Sequence, residues 1–323
     1  MPKLEMPKLE IGDVTAKLPI IQGGMAVRIS MAPLASAVAN AGGIGVIAGS
    51  GLEPEELGAE VKKAREATDG VLGVNVMVAV RKFKDLVQTA IANGVDLVIA
   101  GAGFSRDVFT WCREAGIPMV PIVGSERVAA LSQKFGAGAV IVEGFEAGGH
   151  LGTDEPMRDL LPRIIDAVDI PVVGAGGVVT GADIREVLDM GAAGVQMGTR
   201  FAATVESSAS EGFKQMYVDA TEDDIVLIKS PVGLPGRALR NPFVDKSLRG
   251  EVPRIESCVV CLKECHKDYC IIDKLVKAQQ GDVEGGLVFA GSAAARIHDI
   301  PTVAQLMERL VEEWRAAAVA GAS

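Results

Sequence analysis

Eight short aliphatic runs recur between residues 18 and 197, separated by stretches with helical apolar spacing, and this alternation constrains the fold more than any other feature. The runs are Leu18–Gln22, Gly45–Ala48, Leu72–Met77, Leu97–Ala100, Met119–Val123, Ala139–Glu143, Val172–Gly174 and Gly194–Met197. Between them, Pro33–Ala41, Glu53–Ala67, Lys82–Asn93, Ser105–Ala115, Ser125–Phe135, Pro156–Val168 and Asp183–Met190 space their apolar residues as helices do. Strands alternating with helices at this interval predict parallel βαβ units. The strand runs are continuously apolar, as expected of a parallel sheet covered on one face and packed within on the other. Ala41-Gly42, Asn93-Gly94, Ala115-Gly116, Phe135-Gly136 and Met190-Gly191 each follow a helical stretch, where glycine suits a left-handed cap.

Eight such units close into an α/β (β/α)8 TIM barrel of about 250 residues. The competing architecture, an open doubly wound sheet, should open its first helix with G-x-G-x-x-G, and nothing after Leu18–Gln22 matches that pattern. The chain has 323 residues, which leaves room for a small extra domain. Hydrophobic residues make up 49% and aromatic residues 4%, so the core must be mostly aliphatic. After Phe201 the pattern gives way to loops, to Pro231, Pro235, Pro242 and Pro253, and to a cysteine-rich stretch, before Val303–Ala317 reads as a final amphipathic helix. The expected division is a barrel from 11–212 plus 300–323, with a small, mainly helical domain at 213–299 covering its mouth. Met1–Glu5 recurs as Met6–Glu10 and reads as a duplicated start outside the fold.

A net charge of −10 with no basic stripe argues against nucleic acid or an anionic membrane as partner. No apolar run reaches transmembrane length and the start has no signal-peptide core, so a cytoplasmic location is expected. The acidic charge is compatible with a homo-oligomer.

Barrels of this class bind phosphate on the loops after strands seven and eight. Here those loops read Gly174-Ala175-Gly176-Gly177 and Gly198-Thr199-Arg200, which offer unobstructed backbone N–H groups and a hydroxyl. Thr180 with Asp183 is a candidate cap for the helix between them. Strand six ends in Glu143 through Gly152, with His150 among glycines at the strand's C-terminal end. An imidazole there can serve as acid or base. His266 and His298 lie outside the barrel motifs and carry no site assignment.

Taken in order, Gln22-Gly23-Gly24-Met25, Asn75 within Gly73–Met77, Gly101-Ala102-Gly103, Glu143–Gly152, Gly176-Gly177 and Gln196–Arg200 resemble the nitronate monooxygenase family, formerly 2-nitropropane dioxygenases, which includes FMN-dependent enoyl-acyl-carrier-protein reductases. The likeness runs over most of 18–201. It implies FMN, with Gly23, Gly24 and Met25 approaching the flavin by backbone and Asn75 and Gln196 bonding near the ring. Gly177, Gly198 and Thr199 would hold the phosphate, and Gly101, Gly103, Glu143, Gly149 and Gly176 complete the cofactor-binding set. His150 matches the family's catalytic histidine. Ser230–Ala238 and Asn241-Pro242 resemble a segment forming the substrate mouth.

The implied activity is flavin-dependent oxidation of alkyl nitronates or nitroalkanes with His150 as acid or base. The alternative is an enoyl-thioester reductase that takes NAD(P)H as co-substrate, and a further alternative is a flavin-binding protein without catalysis. The substrate is accordingly a small molecule or an acyl thioester. Cys258, Cys261, Cys265 and Cys270 form a C-x2-C-x3-C-x4-C array that could ligate a [4Fe–4S] cluster or zinc, or remain metal-free thiols. Cys112, on a predicted helix, reads as packing.

Overall fold

The structure, a computed structural model, describes residues 5–252, 255 and 258–320. Met1–Leu4 of the repeated start, Pro253, and residues 321–323 of the expected barrel segment lie outside the described residues.

The chain opens with a hairpin, β1 (Leu9–Ile11) and β2 (Val14–Ala16). The barrel units follow: β3 (Ile20–Gln22), α1 (Ala32–Asn40), β4 (Gly45–Ala48), α2 (Pro54–Ala67), β5 (Leu72–Met77), α3 (Phe83–Ala92), β6 (Leu97–Gly101), α4 (Arg106–Ala115), β7 (Met119–Val123), α5 (Glu126–Lys134) and β8 (Val140–Glu143). A two-residue strand β9 (Gly149–His150) precedes α6 (Met157–Ala167), β10 (Val172–Ala175), α7 (Gly181–Asp189), β11 (Gly194–Met197) and the single turn α8 (Thr199–Ala202). Then come α9 (Glu211–Asp219), β12 (Ile225–Lys229), β13 (Pro235–Leu239), α10 (Pro242–Leu248), α11 (Ile271–Gln280) and α12 (Val303–Ala320).

Eight parallel strands run in the order β3-β11-β10-β8-β7-β6-β5-β4. The ring closes where Ile44 N donates to Ile20 O at 2.9 Å and Gln22 N donates to Ile44 O at 3.0 Å. The predicted barrel is therefore present, with strand ends within two residues of those read from the sequence. Inside it, Ile21, Val46, Ile99, Val120, Ile141 and Val173 form one buried cluster, while outward residues such as Val74, Val98, Val140 and Val142 pack under the helices. That inside-and-outside burial explains the unbroken apolar runs. The Thr180 hydroxyl accepts from Asp183 N and the Asp183 carboxylate accepts from Thr180 N, which makes the expected cap of α7. Cys112, on the buried face of α4, is 1% exposed, consistent with a packing role.

The second copy of the repeated start corrects the sequence reading. Leu9 and Ile11 are fully buried in the barrel-interior cluster, and Met6 is buried as well. The hairpin sits near Gly194, which opens β11, and Gly138, which precedes β8, so it plugs the barrel's N-terminal end. The duplication hides this because a repeated pentapeptide has no strand-length alternation of its own; Ile11 and Val14 complete the pattern.

Opposite the plug, residues after Phe201 lie across the C-terminal ends of the strands. Besides α9 to α11 they contribute a hairpin, β12 with β13, whose inner strand pairs antiparallel with β9. The sequence reading anticipated helices there but not this sheet. No described helix is long and apolar enough to cross a membrane. α12 returns to pack on α7 and α1, with Trp314 buried against them.

Candidate active site

The C-terminal ends of the strands open into a cavity of about 250 Å³. Its floor begins at β3, where Gln22, fully buried, donates to Val46 O at 3.2 Å and accepts from Val46 N at 3.0 Å. This cross-link turns the chain so that Gly23 and Gly24 run along the cavity, with Gly23 N donating to Met197 O at 2.9 Å. A Cβ on Gly24 would lie 2.4 Å from Asn75 Cβ, so only glycine permits that approach.

Asn75, at β5, and Gln196, at β11, both line the cavity. Gln196 is 7% exposed, and its Oε1 is buried with no hydrogen-bond partner among the described residues. Such an orphan is uncommon in a native fold, because an unpaired buried acceptor keeps its full desolvation cost. At the other end Gly176 and Gly177 adopt φ of +113° and +71°, conformations open to glycine at little cost. Beside them lie Gly198 and Thr199. Thr199 Oγ1 accepts from Gly291 N at 3.0 Å, which leaves its own proton free to donate.

β9 carries the histidine. Its loop is held from across the mouth by Arg237, 7% exposed, which donates to Phe145 O at 2.6 Å and Ala147 O at 3.3 Å and stacks over the Phe145 ring. A Cβ on Gly148 would meet the backbone of Ala290 and Gly291 at 2.7 Å, so this glycine lets the loop press against the covering segment. His150 Nε2 lies 2.7 Å from Ser230 Oγ, and its ring meets Phe289 edge-on with centroids 5.1 Å apart. Tyr217 fixes that wall by donating to Phe289 O at 2.6 Å.

Among the titratable groups that line this cavity, burial moves His150 and Glu143 toward their neutral forms. It lowers the His150 pKa to about 4, so the imidazole is neutral at pH 7. It raises the Glu143 carboxyl to about 7.

Of the residues singled out from the sequence, Gly23, Gly24, Met25, Asn75, Gly101, Glu143, Gly149, His150, Gly176, Gly177, Gln196, Gly198 and Thr199 all line this one cavity. Gly103 does not; it turns at φ +128° beside Val78. Sequence reasoning missed the covering residues, among them Tyr217, Leu275, Phe289 and Gly291. The last two had a usable signal in the aliphatic run Leu287–Ala290 ending in glycine, the same signature as the barrel strands.

The four clustered cysteines fall on a loop docked at the rim. Arg81 N donates to Cys261 O at 3.0 Å, Lys263 N to Ala79 O at 2.9 Å, and His266 N to Pro231 O at 2.9 Å. Cys258 is exposed and Cys261, Cys265 and Cys270 are half-buried. Burial raises the Cys261 pKa, with the neighbouring thiols of Cys270, Cys265 and Cys258 adding to it. Among the described residues no group of three or more His, Cys, Asp or Glu side chains is placed to hold a metal ion.

A glycine-walled cavity at the C-terminal mouth of a closed parallel barrel defines an enzyme of the (β/α)8 class. The chain belongs to the nitronate monooxygenase family, whose model matches residues 8–313, and it is an oxidoreductase. A Mycobacterium tuberculosis protein, (3aS,4S,5R,7aS)-5-hydroxy-7a-methyl-1-oxo-octahydro-1H-indene-4-carboxyl-CoA dehydrogenase, is 30% identical over 345 positions, covering 96% of both chains. The structure of FabK from Thermotoga maritima superposes with a TM-score of 0.84 at 31% identity, covering 95% of this chain and 96% of that one. Nitroalkane oxidase from Streptomyces ansochromogenes superposes with a TM-score of 0.79 at 27% identity, covering 94% and 98%.

Proposed function

We propose that the chain is an FMN-dependent oxidoreductase that oxidises nitroalkanes or their nitronates, with His150 as the base. The flavin reading is carried by the orphaned Gln196 Oε1, buried in a cavity whose far end is a cradle of glycine N–H groups. A flavin ring N–H would satisfy that acceptor and remove a cost of about 1–3 kcal/mol. In this reading Asn75 and Gln196 hold the polar edge of the ring, and the backbone of Gly23, Gly24 and Met25 lies against it. Gly176, Gly177, Gly198 and Thr199 then take the phosphate through backbone N–H groups and a hydroxyl. Bound FMN supplies two-electron transfer, while the protein supplies position and electrostatics.

His150 selects among substrates by its basicity. An imidazole whose pKa is lowered to about 4 stays neutral across the physiological range but is a weak base. It can remove a proton only from a carbon already made acidic, and a nitro group acidifies its α-carbon more strongly than a thioester carbonyl does. Burial by Phe289 and the covering segment keeps water from competing for the same nitrogen.

One observation favours a second reading, an acyl thioester as substrate: the M. tuberculosis relative aligned over almost the whole chain is named for a CoA thioester. Anaerobic titration of the flavin separates the two. Bleaching by a nitroalkane or nitronate without NAD(P)H supports the first. Bleaching by NAD(P)H that an enoyl thioester reverses supports the second and refutes the first. A flavin unmoved by either leaves a binding protein without this chemistry.

A further inference from the structure

Among the described residues three hydroxyl side chains line the cavity, Ser50, Thr199 and Tyr217. Tyr217 gives its proton to Phe289 O, and Thr199 belongs to the glycine cradle. Ser50 remains. Its oxygen accepts from Met77 N at 2.9 Å, and its proton meets no acceptor among the described residues. Ser50 is 5% exposed, so bulk water does not supply one freely. A buried hydroxyl that faces a cavity with an acceptor site engaged and its proton uncommitted is a donor prepared for a ligand.

The register of the strands fixes where that donor stands. Ala48 pairs with Asn75, and Met77 lies two residues further along β5, roughly 6.6 Å of strand rise. Bonded to Met77 N, Ser50 therefore sits at this outer level, nearer the mouth than the Asn75 side of the cavity floor. The covering segment closes over it: a Cβ on Gly51 would lie 3.4 Å from Ile272 Cδ1, on α11. Around the ring β4 is the second strand and β8 the sixth, so the loops carrying Ser50 and His150 rise from opposite walls of the barrel. Met77, Ile122 and Leu275 line the same cavity and are apolar, so a bond from Ser50 to a charged oxygen forms in a medium of low dielectric.

We infer, resting on the nitroalkane reading, that Ser50 is the hydrogen-bond donor to a nitro oxygen of the substrate, set across the cavity from the base so that a small substrate lies between the two. The α-carbon's proton passes to a ring nitrogen of His150. The electron pair of the broken C–H bond then forms the C=N bond of the nitronate, and an N=O pair moves onto oxygen. Negative charge thus grows on the atom that Ser50 holds, and a donor fixed in advance stabilises it as it forms. A weakly basic imidazole depends on such a donor, because it removes a proton only where the resulting anion is well stabilised.

The test compares flavin-loaded wild type and Ser50→Ala on nitroethane and on its preformed nitronate. On nitroethane the charge appears only in the transition state, so kcat and kcat/KM should both fall about 10²-fold. On the nitronate the charge is present from the start, so KM should rise with kcat kept. Ser50→Thr, which keeps the hydroxyl, should recover both. Propionate, a carboxylate with the shape and charge of ethyl nitronate, reads the donor without turnover: by calorimetric titration its Kd should weaken about tenfold in Ser50→Ala, with flavin content kept. Equal losses of kcat on both substrates, or propionate bound by Ser50→Ala as tightly as by wild type, would overturn the assignment and leave the nitroalkane activity standing. A wild type inactive on both substrates refutes the proposed function; Ser50 is then still an anion donor if propionate distinguishes the two proteins, and the assignment falls too if it does not.

Discussion

Replacing Glu143 with glutamine should stabilise the flavin-free protein in a way that depends on pH. Burial holds the Glu143 carboxyl at about 7 against an ordinary 4.5. At about 1.4 kcal/mol per pH unit, that displacement corresponds to about 3 kcal/mol. Between pH 4.5 and 7 the native protein keeps a proton that the unfolded chain releases, so stability falls as pH rises through this window, and the full cost is present above it. His150 runs the other way. Its pKa is lowered to about 4 from 6.5, so the unfolded chain binds the extra proton and stability rises between pH 4 and 6.5. The two slopes nearly cancel in the wild type. Glu143→Gln removes one of them: the variant should match the wild type near pH 4 and exceed it by about 3 kcal/mol at pH 8. Urea unfolding of both flavin-free proteins at pH 4.5, 6 and 8 measures the difference. A gap that stays constant across these three values would refute the argument, because a pH-independent effect cannot come from the carboxyl's titration.

His150→Gln should keep bound flavin and lose about 10²- to 10⁴-fold in turnover on a nitroalkane, the usual range for a removed base; near-normal kcat would remove His150 from the chemistry. Gly24→Ala sets a Cβ 2.4 Å from Asn75 Cβ and should strip flavin during purification, which the ratio of flavin to protein absorbance reads. Leu9→Ala, which hollows the plug at the N-terminal end of the barrel, should cost about 2–5 kcal/mol in urea unfolding while leaving flavin content unchanged. Thiol titration of the native protein should find Cys258 reacting first and Cys112, buried and with its thiol pushed up to about 12, last; metal retained stoichiometrically through chelation would instead assign the loop to metal binding.

The barrel was legible because all eight units repeat an aliphatic run and five of the seven helical stretches between them end in glycine, so that an error at one boundary is checked by the others. The cavity inherited that legibility: Gln22–Met25, Asn75, Gly176-Gly177 and Gln196–Thr199 are all strand-end residues, and the closed barrel brings strand ends together. What covers the mouth was not legible in the same way. β12 and β13 are a single hairpin with no repeat to confirm it, and their third strand is two residues of the histidine loop, a pairing that depends on Arg237 reaching Phe145 O and Ala147 O across the mouth. Ser230 stands 80 residues from His150 and carries no spacing that links them. The role of Leu9 was hidden for the opposite reason, since a repeat that usually marks something dispensable contains here the residues that seal the barrel.

The excursion from Ala202 to Val303 leaves and rejoins the barrel through a narrow neck. Val205 N donates to Pro301 O at 3.0 Å, the Glu206 carboxylate accepts from Val303 N at 2.9 Å, and buried Arg200 donates to Asp299 O at 2.9 Å. Both sides of the neck are thus tied before α12 begins. In topological terms the covering segment is a closed insertion between β11 and α12, entered and left at one place, and it reaches the barrel again at the mouth, where β13 pairs with β9.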